Sequence, residues 1–233
     1  MKRNAFWLIA LLTSAQAIAS DTANIDFDVT AEAASCTPTL SNNGVVDYGT
    51  NHAGDLHIQS FTQLGTRDIT LTIQCESSTG VAITARDTRS DSAVVGKDDN
   101  GQEGARFQIN GGGYVHDKAR LFGLGLTAEK KPIGSYAIQI NAASVVALDG
   151  SEQVSVDIGG SASTEGPWEA AAPIALPTNQ DFFYTFLKKG TTTPQPVSTA
   201  TVPLQVSASI ANQLNSSQTV SLDGSAVISI VYL

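Results

Sequence analysis

The sequence predicts an all-β protein built as an antiparallel sandwich. Apolar and polar residues alternate in many short segments, which is the period of a half-buried strand. Stretches rich in Gly and Asn, such as residues 41–44, 97–101 and 110–113, separate these segments and favour turns. No segment keeps an apolar 3.6-residue period over three helical turns, and residues 142–148 come nearest to one. Many short strands joined by such turns are typical of an antiparallel sandwich.

The alternating segments are spread over the whole chain. The first is residues 25–31, in which Ile25, Phe27 and Val29 alternate with polar residues. The other predicted strands are residues 69–75, 81–85, 106–110, 136–141, 154–158, 181–187, 201–210 and 226–233. Residues 161–177 are rich in Ala and Pro without a pattern, which predicts a long loop or insertion.

Residues 1–19 have the layout of a secretory signal peptide. Lys2 and Arg3 precede an apolar run at residues 5–12, and a small-residue stretch ends at Ala19. The run is far shorter than the roughly 20 residues that a membrane-spanning helix needs. We expect cleavage after Ala19, with Ala17 and Ser20 as alternative sites, and a single mature domain at residues 20–233.

Charge and cysteine content narrow the class of protein. Loss of Lys2 and Arg3 changes the net charge from −9 to −11, and an acidic domain repels phosphate backbones. We therefore expect no nucleic-acid partner. The chain has two cysteines, and in an exported protein they most simply pair with each other, Cys36 with Cys75.

Motifs for catalysis and metal binding are weak. His52, Asp55 and His57 match no standard metal-site spacing, and a polar loop explains them as well. Residues 98–103 resemble a calcium loop superficially but lack the alternating ligands and the distal Glu. We therefore expect neither a metal nor a cofactor.

Two possible sugar-directed sites stay open as alternatives. Trp168 with Tyr184 and Asp181 could form a sugar-stacking surface, although isolated aromatic residues more often anchor a core or loop. Carboxylates are numerous enough for a glycosidase pair, but no two of them stand out. There is no G-x-S-x-G elbow and no HExxH motif, so no catalytic residue is predicted and the chain is not expected to be an enzyme.

The last eight residues are apolar on both faces of a predicted strand. Such a strand is expected to be buried in a sandwich and leaves a carboxylate at its end, where a basic group could bind it. The two faces consist of Ala226, Ile228, Ile230 and Tyr232 on one side, and Val227, Val231 and Leu233 on the other.

Taken together, these features resemble the chaperone–usher pilins, the subunits of fimbriae. The resemblance is closer to an uncharacterised family of fimbrial-type secreted proteins of Gram-negative bacteria. It includes the alternating strand before Cys36, the second cysteine 39 residues later, and the penultimate Tyr232 on an alternating last strand. The remaining stretches that carry it are residues 36–40, 44–49, 69–75, 121–125, 133–136 and 222–226.

The resemblance implies an immunoglobulin-like sandwich that lacks its final strand and accepts one from another protein. The implied partners are a periplasmic pilus chaperone, an outer-membrane usher and other fimbrial subunits, with a host glycan or surface receptor as a further candidate. The implied location is the fimbrium or cell surface, reached through the periplasm. The implied chaperone-binding residues are Ile228, Ile230, Tyr232 and Leu233, and the implied strand-complementation edge is formed by Ile25, Phe27 and Val29.

The chain departs from the pilin pattern in two ways. Only residues 20–24 precede the first predicted strand, which is short for a donor extension, and the domain is larger than a typical pilin. The expected function is a structural or adhesive fimbrial subunit. The alternatives are a ligand-binding tip adhesin, a non-polymerising secreted protein, or a secreted or periplasmic hydrolase.

Overall fold

A computed structural model describes residues 34–49, 53–107, 113–171, 175–212, 214 and 221–233. The strands in these residues pair antiparallel throughout, short 3-10 turns connect some of them, and this part of the chain contains no α-helix. The predicted all-β antiparallel sandwich is therefore confirmed. The signal peptide at residues 1–19 and the predicted strand at residues 25–31 lie outside the described residues.

The strands are numbered in chain order. They are β1 (Cys36–Leu40), β2 (Thr62–Thr79), β3 (Val81–Asp87), β4 (Ala105–Phe107), β5 (Gly113–Val115), β6 (Phe122–Gly123), β7 (Gly134–Ile140), β8 (Val146–Asp149), β9 (Glu152–Val154), β10 (Val156–Ser161), β11 (Glu169–Ala170), β12 (Phe183–Lys188), β13 (Val197–Ile210) and β14 (Ala226–Tyr232).

Two sheets form the sandwich. The first has the order β1-β2-β13-β7-β6, with β8 and β9 attached through β13, and the second has the order β11-β10-β12-β3-β14. The chain changes sheet at Gly80, between β2 and β3. The inward-facing residues of both sheets build one core, which includes Leu71, Ile83, Phe186 and Leu204, each at most 1% exposed. Burial of these alternating apolar faces is the main driving force for this arrangement.

The predicted disulfide is present between Cys36 on β1 and Cys75 on β2, with an S–S distance of 2.07 Å. The two residues are directly opposite each other in the β1–β2 register. The bond therefore fastens the edge strand β1 to the long strand β2 of the first sheet.

A hairpin of β4 and β5 packs against the outer side of the first sheet. Gln205, Ser207 and Ser209 of β13 alternate with core residues, yet each is at most 3% exposed. Gln63 of β2 bonds to the backbone on both sides of Ala105, accepting from Arg106 N–H at 3.0 Å and donating to Gly104 O at 2.8 Å. The first sheet is thus covered on both faces in this region.

The part of the predicted insertion at residues 161–177 that surrounds Trp168 packs against the outer side of the second sheet, whereas Leu176 lies in the main core. The insertion contains β11, which pairs with β10, and Trp168, which is 7% exposed and packs with Ala82 and Leu187. Residues 172–174 lie outside the described part of the chain. Within its described residues this segment is a packed element.

The terminal strand β14 differs from the expectation of burial on both faces. It pairs only with β3 among the described strands, so it is an edge strand. Ala226, Ile228 and Ile230 pack against the core, whereas Val227 on the opposite face is 42% exposed. Among the described residues, no helix is both long and apolar enough to cross a membrane.

Candidate functional site: an open edge between β1 and β14

The edge strands β1 and β14 belong to different sheets but lie beside each other at one side of the sandwich. The backbone N–H of Cys36, at the start of β1, donates a hydrogen bond of 2.8 Å to Tyr232 Oη, at the end of β14. Leu40 at the end of β1 and Ala226 at the start of β14 both line one cavity. The two strands therefore run in opposite directions along the same opening.

This opening contains an apolar cavity of about 380 Å³, which we call the edge groove. Its walls are mostly aliphatic or aromatic, and they come from both sheets and from the segments that follow β1 and precede β14. The lining residues are Leu40, Gly44, Val45, Val46, Tyr48, Ile69, Leu124, Tyr136, Ile138, Leu204, Val206, Leu222, Gly224, Ser225, Ala226 and Ile228.

One wall of the edge groove is formed by residues 44–48. The turn before it uses Asn42 and Asn43 in the left-handed region, with φ values of 51° and 53°, which Asn tolerates better than most residues. Tyr48 then donates from its hydroxyl to Val206 O at 2.6 Å, and the Arg67 guanidinium lies 5.1 Å from the centre of its ring. Burial raises the pKa of Tyr48, so its hydroxyl keeps the proton that it donates.

Gly224 lines the edge groove next to the ring of Tyr136. A Cβ at this position would lie 2.7 Å from the ring of Tyr136, so only glycine lets the chain pass this close. The Tyr136 ring stacks on Phe122 at a centroid distance of 5.2 Å. Just before Gly224, the side chain of Asp223 forms an ion pair of 2.9 Å with Arg89, which anchors the approach to β14.

The open edge of β14 carries a regular row of backbone groups. Thr88 N–H donates to Ser225 O, and Leu233 N–H donates to Gly80 O, so both ends of the β3–β14 register are hydrogen-bonded pairs. Hydrogen bonds alternate along an antiparallel pair, and the even-numbered residues between these ends direct their N–H and C=O groups away from β3. These residues are Ala226, Ile228, Ile230 and Tyr232.

The open edge of β1 is less regular. Cys36 and Cys75 have a Cα–Cα distance of 3.9 Å, which is typical of a non-hydrogen-bonded pair, so the Cys36 N–H points away from β2. Pro38, two residues later, faces the same edge and has no N–H to donate. The N–H of Cys36 is therefore the first donor on this edge, and Tyr232 Oη accepts it.

The structure brings together part of the set predicted from sequence. Ile228 lines the edge groove and Ile230 packs inward beside it, while Tyr232 and Leu233 are 49% and 42% exposed. No ion pair to the Leu233 carboxylate occurs among the described residues. Ile25, Phe27 and Val29 lie outside the described residues.

The described members of the weak metal and calcium candidates do not form a metal site. His57 and Asp55 are exposed, with His57 Nδ1 near Ser60 Oγ at 3.1 Å, and His52 lies outside the described residues. The described residues contain no group of three or more His, Cys, Asp or Glu side chains placed to hold a metal. In the calcium-like segment, Asp98 accepts hydrogen bonds from Tyr114 Oη and from two backbone amides.

The proposed sugar-stacking surface is wrong. Trp168 and Tyr184 are 7% and 3% exposed, and Tyr184 donates from its hydroxyl to Ala175 O at 2.8 Å. The Trp168 ring packs with Ala82 and Leu187 on the outer side of the second sheet, whereas the Tyr184 ring belongs to the main core. Asp181 is exposed and accepts a hydrogen bond from Asn179 Nδ2 at 3.0 Å.

The sequence did not indicate which residues outside β14 would line the edge groove. Val45, Val46, Tyr48 and Leu124 belong to stretches that carried the family resemblance, but nothing in their spacing indicated that they would meet. The available sequence signal was the apolar pair Val45 and Val46 immediately after the turn at residues 41–44. In the structure Val45 is 64% exposed.

Three comparisons relate the chain to known proteins. The profile of a family described as "Protein of unknown function (DUF1120)" matches residues 27–137. "Protein GltF" of Escherichia coli strain K12 is 28% identical over 239 residues, which cover 93% of this chain and 91% of GltF. No solved structure matches the chain significantly. "Uncharacterized protein YhcF" of the same strain is 51% identical over 219 residues, which cover 92% of each chain. The chain therefore belongs to the same family as YhcF.

Proposed function

We propose that this chain is an exported structural or adhesive subunit of a surface fimbria, and that it assembles by accepting a β-strand into the edge groove. One observation carries the proposal. The backbone row of β14 that faces away from β3 pairs with no described strand, and it lies directly beside a cavity of about 380 Å³. A strand needs hydrogen-bonding partners along its backbone and apolar pockets for alternate side chains, and this edge offers both.

The general spacings of β-sheets allow a single strand to lie between two such edges. Stacked sheets lie roughly 10 Å apart, and neighbouring strands in a sheet lie roughly 4.8 Å apart. Two edge strands from stacked sheets are thus separated by about two strand spacings. One inserted strand can pair with β14 and, at its other edge, approach β1.

The strand order supports the same interpretation. An immunoglobulin-type sandwich has the order A-B-E-D in one sheet and C-F-G in the other. Here β1-β2-β13-β7 corresponds to A-B-E-D, and β3-β14 corresponds to C-F. The position of strand G is the open edge of β14. An uncovered edge beside an apolar groove favours aggregation, which explains why such a subunit would need a periplasmic chaperone before assembly at an outer-membrane usher.

Two further features fit this role. A disulfide is stable in oxidising compartments such as the periplasm, which agrees with the signal-peptide pattern of residues 1–19. The segment at residues 25–31 has apolar side chains at Ile25, Phe27 and Val29, a spacing that places all three on one face of a strand. We therefore assign this segment of a second copy as the strand that fills the groove.

Proline substitutions can distinguish the role of the open edge of β14 from that of the edge paired with β3. Ala226→Pro removes an N–H that faces the groove, whereas Val227→Pro removes one that pairs with β3. Each protein is expressed with a candidate chaperone, recovered from the periplasm and tested for co-purification and for melting temperature. We expect Ala226→Pro to keep most of its melting temperature but lose strand capture, and Val227→Pro to lose stability.

Two outcomes of this experiment contradict the proposal. One is a wild-type chain that folds alone and captures neither a chaperone nor a peptide of residues 24–32. The other is an Ala226→Pro variant that captures them as well as wild type. Hydrolysis of a glycan or ester by the purified chain, lost on replacing one carboxylate or serine, would instead favour the hydrolase.

A further inference from the structure

The hydroxyl of Tyr232 occupies a hydrogen-bonding position that an inserted strand would need. The Cys36 N–H points into the opening because Cys36 forms a non-hydrogen-bonded pair with Cys75. In a complemented sandwich, a backbone carbonyl of the inserted strand is the natural acceptor for this N–H. Here the acceptor is Tyr232 Oη, at 2.8 Å.

The position of this bond closes one end of the opening. Ala226 and Ile228 of β14 line the edge groove, but the lining stops short of Ile230 and Tyr232. The bond joins residues 196 positions apart in the chain and fastens the end of β14 to a residue that the disulfide already fixes. The groove is therefore open at its Ala226 end and closed at its Tyr232 end.

We propose that the Tyr232 hydroxyl is a latch, which closes the edge groove in the unpaired subunit and which an inserted strand displaces. This inference rests on the proposed strand-accepting function. A strand of a second copy, residues 25–31, can pair first with Ala226 and Ile228. It then reaches Cys36 only by replacing Tyr232 Oη with its own carbonyl. Tyr232 is 49% exposed, so its ring has room to swing away from β1 without disrupting the core.

The latch predicts a specific effect of removing one oxygen atom. Tyr232→Phe keeps the aromatic ring but removes the acceptor for Cys36 N–H. A net hydrogen bond is worth about 1 kcal/mol, which corresponds to about a fivefold change in rate. We expect Tyr232→Phe to capture a synthetic peptide of residues 24–32 about fivefold faster than wild type. Tyr114→Phe is the matched control, because it removes a tyrosine hydroxyl that bonds to Asp98 away from the groove.

Hydrogen exchange at the Cys36 amide tests the bond directly. We expect this amide to be protected in the unpaired wild-type chain, to exchange faster in Tyr232→Phe, and to regain protection in that variant once the peptide is bound. If Tyr232 contributed only packing, the Cys36 amide would exchange at the same rate in wild type and in Tyr232→Phe.

The possible results separate the latch from the function on which it rests. If wild type and Tyr232→Phe both capture the peptide at equal rates and protect Cys36 equally, the latch is wrong and strand acceptance stands. If neither protein captures the peptide at any concentration up to millimolar, strand acceptance itself fails and the latch fails with it.

Discussion

The carboxylate of Asp87, on β3, accepts a hydrogen bond of 2.8 Å from the backbone N–H of Gly123, on β6 in the opposite sheet. It also accepts one of 2.7 Å from Arg89 N–H. Asp87 is 6% exposed, and a Cβ at Gly123 would lie 2.2 Å from Arg89 O. The carboxylate and the missing side chain together allow the two sheets to meet at this corner of the sandwich.

Replacing Asp87 with Ala should therefore lower stability. The change leaves the Gly123 N–H buried without its acceptor, and an unsatisfied buried group costs about 1–3 kcal/mol. Denaturant unfolding would measure the loss. Asp91→Ala is a suitable control, because Asp91 is exposed and its removal should change stability by less than about 0.5 kcal/mol. Equal effects of the two substitutions would contradict a connecting role for Asp87.

The disulfide should contribute more than any single hydrogen bond. It joins residues 39 positions apart, and loss of a native disulfide typically costs about 2–5 kcal/mol. We expect the Cys36→Ala/Cys75→Ala double variant to show a loss of this size in denaturant unfolding. Reduction of the wild-type chain should approach the same stability. Two reactive thiols in denatured, unreduced wild type would mean that the bond does not form in the mature protein.

The two faces of β14 should respond differently to truncation. Ile228 faces the core and lines the edge groove, whereas Val227 is 42% exposed on the other face. A fully buried Ile→Ala change costs about 2–5 kcal/mol, and Ile228 is half-buried, so we expect about 1–3 kcal/mol. Val227→Ala should cost less than about 1 kcal/mol. If both variants unfold at the same denaturant concentration, β14 does not pack as the structure shows.

Strand positions and the disulfide could be predicted because they depend on local features of the sequence. Residues 226–233 were predicted to form the last strand, and β14 covers Ala226–Tyr232. The disulfide followed from an even number of cysteines together with export signals. Residues 226–233 are apolar on both faces, which is why β14 was expected to be buried on both faces. This pattern does not show whether a neighbouring strand covers the second edge, and β14 is an edge strand among the described strands.

The covering layers and the edge groove depend on contacts between distant residues. Ser207 and Gln205 alternate with core residues and would normally face water, yet the hairpin of β4 and β5 packs over this face of β13. Ser207 then pairs with Thr66 at 2.7 Å. Likewise, Val46 and Leu124 meet across 78 residues of sequence to line one cavity, and no local pattern encodes that meeting.

The stability of the hairpin region should fall in acid because of Asp98. Burial alone would raise the pKa of this carboxyl, but hydrogen bonds from the Tyr114 hydroxyl and from the Gln102 and Asn100 amides outweigh burial, so its pKa lies below the ordinary value of 3.8. A group whose pKa is lower in the folded state stabilises the fold above its unfolded pKa, and that contribution disappears as the pH falls through the folded value. The stability advantage of wild type over Asp98→Asn should therefore be constant at neutral pH and shrink below about pH 4. Tyr114→Phe removes one of the bonds that lower the pKa, so its acid-dependent loss of stability should be smaller than in wild type and should end at a higher pH. Denaturant unfolding of the three proteins across this range would measure both effects. An advantage that stays constant into strong acid would show that the Asp98 charge contributes nothing to the fold.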